Sequence, residues 1–124
     1  MANVFIKCNY PYDPTRTVCY VSVTNMVDCI PYNTGSRVFY KNGNYSTLSQ
    51  TPAQVQSLVE QSKGDPGYAS GTVTFTDLQG NKHTEQVDEI LCLSSEEPNA
   101  VYQFVYLGGT IRMRETPSGI FAQM

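Results

Sequence analysis

The sequence predicts a mostly β protein of α+β class, built as two tandem, related modules, each a small sheet or open barrel closed by one short helix. Three observations predict it. Short runs of β-branched and aromatic residues recur between clusters of Asn, Asp, Gly and Pro. A Thr-Pro dipeptide opens an apolar, helix-spaced stretch twice, at Thr51-Pro52 and Thr116-Pro117. The chain also aligns on itself at an offset of 65 residues, which sets Phe39 to Gly43 on Phe104 to Gly108, Leu48 on Met113 and Gln50-Thr51-Pro52 on Glu115-Thr116-Pro117. A loop difference of two residues brings Val27-Asp28-Cys29-Ile30 onto Ile90-Leu91-Cys92-Leu93.

Each module opens with a hairpin. Val4 to Cys8 and Thr17 to Val23 are strand-like runs separated by turn residues, and Val73 to Thr76 with Lys82 to Val87 repeat the pattern around Leu78-Gln79-Gly80-Asn81. A short apolar strand follows, through Cys29 or Cys92, and then a second hairpin. Its turn is expected at Asn42-Gly43 in the first module and Gly108-Gly109 in the second, because such dipeptides suit a two-residue type I′ turn with both central residues at positive φ.

The helix of the first module is expected over residues 52–61. Thr51 is its N-cap, Pro52 is preset for the first turn, Gln54 completes a capping box, and Val55, Leu58 and Val59 follow at helical spacing before Gly64. The second copy keeps Thr116 and Pro117 but has Gly119 where the capping glutamine stands, and only Ile120, Phe121 and Met124 beyond it. So short a helix needs tertiary or intersubunit packing to persist. The domains are therefore 1–62 for the first module, 63–71 for a linker and 72–124 for the second module. Neither module of about 60 residues buries much core alone.

Composition narrows the function. The 124 residues carry a net charge of -3, with +1 on residues 1–62 and -4 on residues 63–124, and eight scattered Lys and Arg give no footprint for nucleic-acid phosphates. No apolar run approaches the roughly 18 residues of a membrane helix, and the opening residues lack a secretory pattern, so an intracellular location without membrane contact is expected. Cys8, Cys19, Cys29 and Cys92 show no metal or redox spacing, and His83 is the single histidine. No metal and no cofactor are expected. Cys8 and Cys19 flank a turn and either face each other across the hairpin as a disulfide or stay as buried free thiols.

No catalytic residue emerges. His83 reads as a solvated strand residue. Asp88-Glu89 read as strand carboxylates on opposite faces and Glu96-Glu97 as loop charge, not as an acid-base pair. Arg112 and Arg114 share one strand face, placed either to hold a phosphate or acidic partner or to bridge to Glu115 and neighbouring acids. Six of the nine tyrosines fall in the first 45 residues, among Asn, Ser and Thr, which is strand and contact-surface chemistry.

The apolar strand, the glycine-turn hairpin, and the Glu or Gln before Thr and a short helix resemble the small β-rich modules of FlbD-like proteins. More loosely they resemble LytTR-type domains, and similar modules occur in bacteriophage gene products. The match spans about residues 24–60 and 87–124. The resemblance implies regulatory or DNA-contacting roles, but the chain lacks the basic residues for DNA, so the module shape carries over and the activity does not.

The function expected is therefore a non-enzymatic accessory or structural protein, a bacteriophage virion component, acting as a homo-oligomer or with other assembly proteins. The alternative is a small-ligand or nucleotide-binding regulator using Arg112 and Arg114. Candidate contact residues are Tyr40, Asn42, Tyr45, Tyr106, Arg112, Arg114, Phe121 and Met124. The C-terminal segment from Thr116 to Met124 is the sharpest of these candidates, removal of residues 117–124 being expected to abolish oligomers and leave soluble protein.

Overall fold

The computed structural model describes residues 2–69, 71–96 and 101–124. Their elements run β1 (Phe5–Cys8), β2 (Thr17–Ser22), β3 (Met26–Tyr32), β4 (Gly35–Tyr40), β5 (Tyr45–Leu48), α1 (Pro52–Ser62), β6 (Thr72–Thr76), β7 (Lys82–Gln86), β8 (Ile90–Glu96), β9 (Val101–Tyr106), β10 (Gly109–Met113) and α2 (Pro117–Phe121). The protein is mostly β with two short helices, and five strands followed by a helix occur in the same order in each half.

Local closures match as well. In the first half Asn9 N–H donates to Gln50 Oε1 at 3.0 Å, and Ser49 N–H donates to the Asn9 carbonyl at 2.8 Å. In the second, Thr76 N–H donates to Glu115 Oε1 at 2.8 Å, and Arg114 N–H donates to the Thr76 carbonyl at 2.9 Å. Both third strands break register at their start, between Met26 and Asp28 in β3 and between Ile90 and Cys92 in β8. This sets Asp28 against Cys92 and Cys29 against Leu93, one residue away from the expected Cys29–Cys92 match. Matching the cysteines overlooked strand faces, since a one-residue slip swaps the sides of a sheet.

The strands form an antiparallel sheet β1-β2-β8-β9-β10, a sheet β3-β4-β5 and a hairpin β6-β7. The five-stranded sheet draws two strands from the first half and three from the second, joined where Tyr20 of β2 lies opposite Leu93 of β8 and Val21 lies opposite Cys92. It is buried on both faces. Cys19, Val21, Leu91 and Cys92 pack against Val38, Tyr40 and Leu48 of the three-stranded sheet and Val55 of α1. Ile90, Leu93, Phe104 and Met113 pack against Val73 and Phe75 of the hairpin and Ile120 of α2. Burial on both sides explains why Ile90 to Leu93 reads as a continuous apolar run.

The α1 capping box forms as expected, with Gln54 N–H donating to Thr51 Oγ1 at 3.2 Å and Thr51 N–H donating to Gln54 Oε1 at 2.8 Å. In α2 the N–H of Gly119 donates to Thr116 Oγ1 at 3.1 Å. The C-terminal segment is packed against its own chain. Ile120 is fully buried, the Phe121 ring meets Phe5 and Tyr20 edge-on at 5.2 and 5.0 Å, and Met124 packs against the same core. Gln123 brackets Thr74, accepting its N–H at 2.8 Å and donating to its carbonyl at 2.7 Å.

The two hairpin turns differ from the type I′ expectation. Gly43 N–H donates to the Tyr40 carbonyl at 2.9 Å and Tyr40 N–H to the Asn44 carbonyl at 2.8 Å, with Gly43 at φ 86° and Asn42 outside the positive region. That is a three-residue loop with a bulged glycine. Asn42 is fixed in it by its side chain, which accepts from Asn44 N–H at 3.1 Å and donates to the Leu107 carbonyl at 3.1 Å. In the second half the turn is Leu107-Gly108, and the positive φ falls on Gly109, the first residue of β10.

The expected linker is docked. Asn3 and Tyr68 exchange backbone hydrogen bonds at 2.9 Å each, and a Cβ on Gly67 would lie 2.7 Å from the Asn3 carbonyl oxygen. Ser70 of that stretch lies outside the described residues.

Candidate binding groove

The sequence-derived contact residues scatter. Tyr40 is not on the surface: it is 1% exposed, and its hydroxyl shares a hydrogen bond with Ser46 Oγ at 2.8 Å. Burial pushes its phenol far up, so it stays neutral. Tyr106 is half-buried and leans on Phe104 with ring centroids 5.7 Å apart, while burial and the Glu85 and Glu89 carboxylates raise its pKa. Phe121 and Met124 belong to the second core. Asn42 ties one hairpin turn to the other.

Arg112 and Arg114 are both exposed, and strand alternation puts them on one side with Thr110. Arg114 Nη2 donates to the Leu78 carbonyl at 3.3 Å, and Glu115, offered as a bridge for these arginines, accepts from Thr76 N–H instead.

Phe121 lines a space of about 340 Å³ with Phe5, Tyr20 and Tyr68, and Tyr45 lies in a groove whose walls carry more polar groups. The β1–β2 loop supplies Tyr10, Pro11 and Tyr12, the β3–β4 hairpin supplies Tyr32, Asn33 and Arg37, and β5 supplies Tyr45 to Thr47. Gln103, Val105 and Thr110 of the five-stranded sheet close a space of about 610 Å³. The register explains the grouping. Arg37 lies opposite Ile30 on β3 and opposite Thr47 on β5, so Tyr32 and Tyr45, each two residues from those positions, share its face.

The Arg37 guanidinium carbon sits 3.7 Å from the Tyr32 ring centroid and 4.1 Å from that of Tyr45, while its Nε donates to Thr47 Oγ1 at 3.2 Å. A cation held over two tyrosine faces gains about 0.5–2 kcal/mol per contact, more as water is excluded. Tyr10 and Tyr12 stack in the same groove, centroids 5.5 Å apart and planes 11° from parallel. Burial, with Cys92 and Cys19 nearby, drives the Tyr10 phenol far up, leaving it a neutral hydrogen-bonding group. Such a groove offers flat apolar faces, amides at Asn33, Asn44 and Gln103, and hydroxyls at Thr47 and Thr110.

Sequence reasoning missed Arg37, Tyr10, Tyr12 and Tyr32 as a group. The available signal was the crowding of tyrosines among Asn, Ser and Thr in the first 45 residues.

His83 is not a solvated strand residue. Its Nε2 lies 2.8 Å from Asp77 Oδ2, and its ring stacks on Phe75 at 5.2 Å. Asp77 Oδ1 accepts from Gln79 and Asn81 N–H, both at 2.9 Å, so the pair fixes the β6–β7 turn. The hydrogen bond to His83 holds the Asp77 carboxyl below its ordinary range. Asp88 and Glu89 lie in a 3-10 turn, Val87–Glu89, not on a strand. Glu97, and the side chain of Glu96, fall outside the described residues.

The sulfur of Cys19 lies 2.7 Å from that of Cys92, whereas Cys8 is its cross-strand neighbour on β1. Among the described residues, no group of three His, Cys, Asp or Glu side chains is placed to hold a metal ion. No helix there is long and apolar enough to cross a membrane.

Comparison with protein-family models, with curated proteins and with solved structures gives no match.

Proposed function

We propose that the chain is a doubled unit that acts as a non-enzymatic protein-binding module, taking an extended segment of a partner protein into the tyrosine groove. The observation that carries this reading is Arg37 clamped between Tyr32 and Tyr45 in the groove that also holds the Tyr10–Tyr12 stack. Aromatic-lined grooves favour proline-containing segments in the polyproline II conformation, because such segments arrive already extended and leave their carbonyls open to side-chain donors. Asn33, Asn44 and Gln103 supply uncharged donors on the walls. Within the proposal the chain is an accessory or structural component of a larger assembly, a bacteriophage virion being the setting that the modular resemblance implies.

An array of 12-residue peptides, half of them proline-rich, tests the reading. Proline-bearing peptides are expected to bind, with affinity reduced at least tenfold by Arg37→Ala and by Tyr12→Ala. An array without a binder, or binding indifferent to both substitutions, contradicts it.

A further inference from the structure

Among the described residues, the two halves are joined by one strand pair, β2 against β8. By order in the halves, β2 corresponds to β7 and β8 to β3. Yet β7 pairs only with β6 and β3 only with β4 among the described residues. The chain thus uses one edge of each kind for its internal join and leaves the matching pair, β7 and β3, at the rims of their sheets. A second copy has the complement of each: β7 of one chain laid on β3 of the next repeats the geometry of β2 on β8. Such a contact is head-to-tail, so it grows into a ring or a filament.

The β3 edge is closed against this, and the register shows how. The two-residue turn Asn33-Thr34 makes Tyr32 and Gly35 the closing hydrogen-bonded pair of the β3–β4 hairpin. Ile30 and Asp28 then bond inward to β4, and the backbone groups of Cys29 and Pro31 point to the rim. Their counterparts on β8 are Leu93 and Ser95, which face Tyr20 and Val18 of β2 in the internal join. On β3 both donors are withheld. Cys29 N–H donates to Asp28 Oδ1 at 2.8 Å, and Pro31 has no N–H. Val27 and Ile30 are 62% and 39% exposed on the same strand, so an open rim there would be apolar as well as unpaired.

We propose that Asp28 and Pro31 close the β3 edge to β7 of a second copy, and that without them the chain joins head to tail through a repeat of its own β2·β8 pairing. The inference is independent of the groove and goes beyond it.

Sedimentation of three purified chains tests it, with circular dichroism confirming the β fold of each. The unaltered protein is expected to run at its monomer mass of 13.8 kDa. Asp28→Ala with Pro31→Ser, serine being the residue at the β8 counterpart, is expected to give species of at least twice that mass that grow with concentration. Adding Thr84→Pro spoils the outgoing β7 edge at the counterpart of Tyr20 and is expected to restore the monomer. Mixed one to one with unaltered protein, this triple variant offers an open β3 to an intact β7 and should stop at a dimer. A folded double variant that stays monomeric overturns the proposal, as do oligomers that ignore Thr84→Pro or a mixture that grows past two. Should the triple variant fail to fold, hydrogen exchange on the double variant decides: slowed exchange confined to β3 and β7 supports the join, and slowing elsewhere refutes it.

Discussion

Replacing Ile120 with alanine separates a C-terminal segment that belongs to the core from one that serves as an external contact. The side chain is 0% exposed, carried by a five-residue helix over the second face of the five-stranded sheet. Truncation removes three carbons from the buried cluster that also holds Leu93, Phe104 and Met113 of the five-stranded sheet. Lost transfer energy and the residual cavity together cost about 2–5 kcal/mol, a large share of the roughly 5–15 kcal/mol that holds a domain folded. Urea unfolding followed by circular dichroism is expected to show a lower midpoint at unchanged slope, and Ser118→Ala, an exposed neighbour on the same helix, to stay within about 0.5 kcal/mol of the parent. A loss below about 1 kcal/mol for Ile120→Ala would refute the placement of α2 in the core. By the same reasoning, removal of residues 117–124 should yield an unfolded or aggregating chain rather than a soluble, dissociated one.

Thr51→Ala removes the acceptor for Gln54 N–H and is expected to cost about 1 kcal/mol in the same assay. Burial pushes the Cys8 thiol up to about 12 and that of Cys19 well above its usual value, so a disulfide reagent at pH 8 should modify at most Cys29 in the native protein and all four cysteines in denaturant. Because Asp77 has a folded pKa below its unfolded one, its contribution to stability is present above the unfolded value near 3.8 and is lost as pH falls through the folded value. Thermal melts from pH 6 to pH 2 should therefore show an acid-side loss that Asp77→Asn reduces, and an unchanged profile would count against the His83 contact.

Local chemistry was legible in the sequence where a few neighbouring residues decide the outcome. The α1 capping box, the Thr-Pro start of α2 and the opening hairpins rest on short-range contacts, the widest of them Phe5 against Ser22. The join of β2 to β8 was not legible, because it pairs positions more than 70 residues apart and leaves no periodicity behind. The first hairpin turn departed from expectation in keeping with the use of the Asn42 side chain on Asn44 and Leu107, a choice its dipeptide does not encode. Tyr40 and Tyr45 share one hairpin and look equivalent as letters, yet the first is interior and the second is 52% exposed in the groove. Their register separates them: Tyr45 lies opposite Phe39 and shares its face, whereas Tyr40 points to the other face, which the five-stranded sheet covers. The groove itself draws on the loop before β2, the first meander and two strands of the second half, so no single stretch of sequence announces it.

Amide chemical shifts of the isotope-labelled protein, followed during titration with the strongest array peptide, test the groove assignment most directly. Saturable shifts at Tyr12, Tyr32, Arg37, Tyr45 and Thr110 are the predicted result. Shifts that saturate at Arg112 and Arg114 while those residues stay still would contradict it.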